Sequence, residues 1–218
     1  ILGITLTKRS NGAASDVELA GFPHHSLDTY LPKLVRAGQR VAVCDQLEDP
    51  KTTKTIVKRG VTELVTPGVT YNDQVLDQGK NNYVAAWLPG GATTGVPFLD
   101  VSTGEFHVAE GNPAYAEQLV QAMEPAEILI PRSHRSAFNN QFLSSFYHFV
   151  LEDWVFEKAF ATDLLLQQFK VKNLKGFGIE AFNEGIGAAG AILHYLKETQ
   201  HDRVAHITGG SRIDSANQ

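Results

Sequence analysis

Cysteine and methionine are nearly missing from this 218-residue sequence, where Cys44 and Met123 stand alone. A single cysteine excludes an intramolecular disulfide, so the fold gains nothing from cross-links and the chain suits a reducing compartment, the cytoplasm. No Met precedes Ile1. An apolar, strand-like start without a basic leader reads as the interior of a longer chain. Long hydrophobic runs are also lacking. The longest small-or-apolar stretch, Ile186 to Leu193, is far short of the ~20 residues a membrane crossing needs, and no membrane association is expected. No G-x-x-x-x-G-K-S/T occurs, so the chain has no P-loop. Its composition, 43% hydrophobic and 20% charged, is that of an ordinary globular protein and excludes a disordered or collagen-like one.

Charge is unevenly spread. Residues 1–66 hold nine Lys/Arg against seven Asp/Glu, net +2, and residues 67–218 hold ten against seventeen, net −7. The first part could lie against a polyanion; the second would be repelled by phosphate.

Residues 1–8 alternate as a strand, SNG at 10–12 is turn chemistry, and a loop follows. Ser26 is placed to N-cap a helix from Leu27 to Ala37 ending at Gly38, with Leu27, Tyr30, Leu31, Leu34 and Val35 on one face. Strands are expected at Arg40 to Leu47 and Ile56 to Val65. Thr66 to Asn82 is polar and punctuated by Pro67, Gly68 and Gly79, which marks a boundary. An antiparallel meander follows at Tyr83 to Leu88, Val96 to Val101 and Glu105 to Ala109. Beyond it lie a helix capped by Asn112, strands at Glu127 to Ile130 and Phe146 to Leu151, and helices over Glu157 to Phe169 and Ile179 to Gln200. The last dozen residues read as loop. The fold class is α/β: a small α+β unit over 1–66, a linker over 67–82, and a sheet covered by helices over 83–218.

Four patterns invite a chemical reading. Gly185 to Gly190 fits G-x-G-x-x-G, but no strand ends at Gly185 and the run sits inside a helical stripe. Small residues that let a helix pack closely are favoured over a nucleotide site. His194, Glu198 and His201 share a helix face without the spacing of a zinc motif, so a solvated helix end is preferred. The His24–His25 pair reads as loop or interface. Cys44, in an alternating strand, reads as a packed thiol. Asp100, near a strand end before a tight turn, resembles a metal-binding aspartate of an RNase H-like nuclease that could recruit Glu105, Glu152 or Asp153. A turn-forming role is the simpler reading. Lys8, Arg9, Lys51, Lys54, Lys58 and Arg59 could follow a phosphate backbone.

The runs LTKRSNG at 6–12, DVELAGFPHHSLDTYLPKLVRAGQRVAVCDQLEDP at 16–50 and VTPGV at 65–69 resemble the mismatch-recognition domain of the bacterial MutS family. There L-T-K-R, A-G-x-P-x-H, Y-L-x-K-L-V-x-x-G, V-A-x-C-x-Q and V-T-P-G occur in that order. LDVSTGEF, EPAEILIP and GFGIEAFNEGIGAAGAILHYLKETQ resemble the family's connector domain, an RNase H-like α/β fold without nuclease chemistry. The resemblance implies a non-catalytic piece of a DNA mismatch-repair ATPase. The family's Phe-x-Glu wedge would lie ahead of Ile1, and the ATPase, with its ATP and Mg²⁺, beyond Gln218. It also implies phosphate and minor-groove contacts from Lys8, Arg9, Leu19, His25, Lys58 and Arg59, with His24 standing where relatives carry an aromatic residue. Implied partners are mismatched duplex DNA, MutL through the connector, and a second copy in a homodimer of the longer protein. The contrasting alternative is the divalent-metal nuclease built on Asp100.

Overall fold

The computed structural model describes residues 1–12, 14–71, 76, 79–140, 142–200 and 203–214. The chain opens with a hairpin, β1 (Leu6–Asn11) against β2 (Ala14–Ala20), in which Leu6 pairs with Ala20 and Arg9 with Val17. The expected loop after SNG is therefore a strand, and the first strand starts later than Ile1. Its signal, Val17 and Leu19 alternating with acidic Asp16 and Glu18, is an alternation with both faces exposed. No buried face fixes it in the sequence.

Helix α1 (Leu27–Arg36) starts where expected but not by the expected means. Ser26 closes a 3₁₀ turn, His24–Ser26, at φ −91° and ψ 5°, and its side chain makes no cap bond. The extended backbone that side-chain capping requires is absent there. Leu31 and Val35 of α1 pack with Val65, Val41 and Val43 from a second hairpin, β3 (Val41–Gln46) and β4 (Arg59–Val65). A bulge falls where Val43 pairs with Glu63 but Cys44 with Val61. The alternation of β3 turns Val41 and Val43 toward this core and Ala42 and Cys44 outward, so Cys44 is exposed rather than packed.

A larger mixed sheet follows. β5 (Tyr83–Ala86), the two-residue β6 (Leu88–Pro89), β7 (Thr94–Asp100) and β8 (Glu105–Gly111) build the antiparallel part. After α2 (Pro113–Met123), capped by Asn112 through a 2.9 Å bond from the Tyr115 amide, β9 (Glu127–Pro131) adds in parallel beside β5. Helix α3 (Arg135–Asn139) leads to β10 (His148–Leu151), parallel to β9. A meander extended by parallel strands on the far side of its first strand is the mixed sheet expected of an RNase H-like unit.

The strand period of two sorts apolar side chains into two cores. Val84, Leu99, Val108 and Leu129 face α4 (Lys158–Phe169) and α5 (Glu184–Gln200). Ala85, Phe98, Ile128 and Ile130 face α2 and α3, where Ala116, Val120 and Phe138 are buried. Helix α5 begins at Glu184, not Ile179. The sheet lies on one side of it and α4 on the other, so almost every residue from Gly185 to Leu196 is buried. The chain end is not all loop: β11 (Ser211–Arg212) pairs in parallel with β8. Among the described residues no helix is long and apolar enough to cross a membrane.

Candidate nucleic-acid interface

Residues directly opposite in an antiparallel pair share a face. In the first hairpin, Thr7 opposes Leu19 and Arg9 opposes Val17, whereas Lys8 opposes Glu18. Arg9, Leu19 and Val17 therefore form one exposed face and Lys8 looks out of the other, beside an acid that offsets its charge. Leu19 is 48% and Val17 54% exposed. The Thr7 hydroxyl donates to the Leu19 carbonyl at 2.8 Å, which pins the register under the apolar pair. An arginine set among exposed aliphatic side chains suits a groove with phosphate walls, since the cation meets phosphate while the aliphatics meet sugar and base edges.

The other expected contacts lie elsewhere. His25 is exposed in the 3₁₀ turn before α1. Lys58 and Arg59 belong to the second hairpin, where the Lys58 ammonium lies 3.7 Å from Glu48 and the Lys58 amide donates to the same carboxylate. Arg59 is exposed opposite Gln46. The structure thus brings Arg9 and Leu19 together, turns Lys8 away from them, and places Lys58 and Arg59 side by side on β4 and its approach.

The nuclease alternative finds no support. Asp100 is 2% exposed, and its carboxylate accepts from the Ser102 amide at 2.9 Å, the Ser102 hydroxyl at 2.6 Å and the Asn82 amide at 3.1 Å. The Ser102 bonds close the turn between β7 and β8, and the Asn82 bond ties that turn to the start of the neighbouring strand β5. Glu105 is held by His107 at 2.6 Å. Glu152 pairs with Arg132, and Asp153 accepts from the Ser133 amide. Both follow β10, at the end of the sheet opposite Asp100, because β7 runs against β5, β9 and β10. Among the described residues no three His, Cys, Asp or Glu side chains could hold a metal ion. His194 packs edge-on against Trp154 and Phe160; His201 lies outside the described residues. The Gly185 to Gly190 run is close packing: a Cβ on Gly190 would lie 2.3 Å from that of Ala161 in α4, and one on Gly187 2.3 Å from the Phe156 carbonyl oxygen.

Two family models match, MutS domain I over residues 1–74 and MutS domain II over residues 82–208. The chain belongs to the MutS family. It is 58% identical to proteins named DNA mismatch repair protein MutS from Flavobacterium psychrophilum, over 213 residues, and from Cytophaga hutchinsonii and Porphyromonas gingivalis, each over 214. Each comparison takes in 98% of this chain and 24–25% of the relative. The chain thus spans about a quarter of the length of these MutS relatives.

Where the two matched parts of this MutS chain meet, the structure shows a cluster that sequence reading passed over. Glu127, 2% exposed at the start of β9, accepts from the Thr66 hydroxyl at 2.6 Å, the Gly68 amide at 3.0 Å and the Tyr195 hydroxyl of α5 at 2.7 Å. Burial, with Glu127 alongside, pushes Tyr195 well above the ordinary phenol range. The Arg40 guanidinium stacks 3.3 Å from the Phe149 ring centroid and 5.5 Å from that of Tyr195. Gln200 donates to the Leu64 carbonyl at 3.1 Å. Thr66 to Thr70 is accordingly buried, although composition had marked its polar stretch as a linker. The one available clue was an acid, Glu127, at the head of an otherwise apolar strand.

Proposed function

We propose that this chain is the mismatch-recognition and connector portion of a DNA mismatch-repair ATPase. The 58% identity over 98% of the chain to proteins of that name carries the reading. Residues 1–66 act as the recognition part and 83–218 as the connector, with 67–82 between them. Arg9 and Leu19 form the first contact face, and Lys8, His25, Lys58 and Arg59 add contacts to phosphate. The longer protein works as a homodimer in the cytoplasm, with ATP and Mg²⁺ handled outside these residues and no catalytic step carried by them. The net −7 of residues 67–218 suits docking of a protein partner, MutL, better than DNA.

Gel shifts of the 218-residue chain on matched and G·T duplexes at two salt concentrations test the reading. Weak, strongly salt-sensitive binding with little mismatch preference is expected, because the first 66 residues hold no Phe-x-Glu. Arg9→Ala should lower affinity on both duplexes and reduce the salt slope by about one. Salt-independent binding, or strong selectivity for the G·T duplex, would overturn the assignment.

A further inference from the structure

The junction described above does more than fill space. Glu127 belongs to the large sheet, yet two of its three donors, Thr66 and Gly68, lie on the chain just leaving β4. The third, Tyr195, lies on the long helix that crosses the same sheet. A buried carboxylate of this kind is costly to strip of partners, because each abandoned donor loses its acceptor along with it. Arg40 reaches across from the other side of the second hairpin, one residue ahead of β3, onto Phe149 and Tyr195. A planar guanidinium lying flat on an aromatic ring is directional in a way a lysine ammonium is not. Two residues before Arg40, Gly38 at φ +78° lets Tyr147 approach so closely that a Cβ there would fall 2.0 Å from its ring.

We propose that Glu127 and Arg40 are positioning residues: they fix the angle at which α1 and the second hairpin are held against the large sheet. They act as two anchor points, one buried and hydrogen-bonded, one stacked and half-exposed. Two separated anchors leave rotation only about the line that joins them, whereas a single tether would leave rotation free about every axis. The inference rests on the junction alone and stands whatever the first hairpin touches.

Distance measurement by paired spin labels tests it on the 218-residue chain. Exposed Cys44 supplies one site and Gln118→Cys, exposed on α2, the other. The parent should give one narrow distance distribution. Arg40→Ala and Glu127→Ala should each broaden it at least twofold and speed hydrogen exchange at residues 66–70 while β7 and β9 stay protected. Glu127→Gln should stay near the parent width: its oxygen can accept from the Gly68 amide and the Thr66 hydroxyl, which share one carboxylate oxygen, and the Tyr195 hydroxyl can turn to accept from its amide. Arg40→Lys should behave like Arg40→Ala, because the charge remains but the flat stack is lost. A parent-like width in both alanine variants overturns the proposal, as does broadening that appears only with loss of protection in β7 and β9. Should Glu127→Ala fail to fold, Arg40→Ala decides, since Arg40 lies outside the core.

Discussion

Tyr71 shows how far one buried hydroxyl can reach. It donates to the Arg203 carbonyl, and burial pushes its pKa up from 10.0 to about 12. The folded chain therefore holds the phenolic proton more tightly than the unfolded chain. The stability contributed by the neutral ring is complete below pH 10 and is lost as pH rises from 10 toward about 12. Urea midpoints across that interval should fall with pH, and fall less steeply in Tyr71→Phe. Tyr83 and Tyr115 are also raised, chiefly by burial, so the decline should be softened by that variant rather than abolished. Asp100 carries the opposite lesson: an acid that looks like a ligand in the sequence has its lone pairs committed to the amide and hydroxyl of Ser102, two residues away, and to the amide of Asn82 on the neighbouring strand's approach. Composition and spacing do not reveal that commitment, because it depends on how the turn closes.

Among the elements, α5 was the most legible and also the one whose limits were misjudged. Its small residues fit a nucleotide fingerprint in type, whereas the missing strand before Gly185 and the helical stripe around the run argue otherwise. The structure supplies the physical reason for those residues, since α4 lies against Gly190 more closely than any side chain permits. Alanine at 190 gains up to about 1 kcal/mol of helix propensity, but the forced shift of α4 should cost about 1–3 kcal/mol. Gly190→Ala should therefore lower Tm by some degrees, at about 2–4 °C per kcal/mol for a chain of this size. Gly91→Ala, with nothing within 4 Å of its Cβ, should be nearly silent. The buried strands β5, β7 and β9 and the Asn112 cap were readable because burial and capping leave local signatures. Strand β2 was not, because neither of its faces is buried. The exposure of Cys44 follows from the period of two itself: the alternation that turns Val41 and Val43 inward turns Ala42 and Cys44 out.

For the molecule as a whole, the sequence marked where one part ends but not how firmly it is held to the next. Turn residues at Pro67 and Gly68 are equally compatible with a loose tether and with a buried clasp, and two hydrogen bonds from Thr66 and Gly68 to Glu127, some sixty positions away, decide for the clasp. The opposite edge of the large sheet carries a different consequence. Among the described residues, the two residues of β11 and the Ile213 amide, which donates to the Val108 carbonyl at 2.9 Å, pair with the outer side of β8. The match to MutS domain II ends at residue 208, ahead of that cover. A chain cut at 208 would keep every fully buried side chain of the two cores, losing Ile213 from the margin of one, and yet present β8 as a bare row of amide and carbonyl groups, open to pairing with its like. Such a chain should fold and then self-associate with rising concentration, seen as a growing scattering mass, while the chain extended through Asp214 stays at constant mass. Those few residues past the recognisable domain would then govern solubility more than stability.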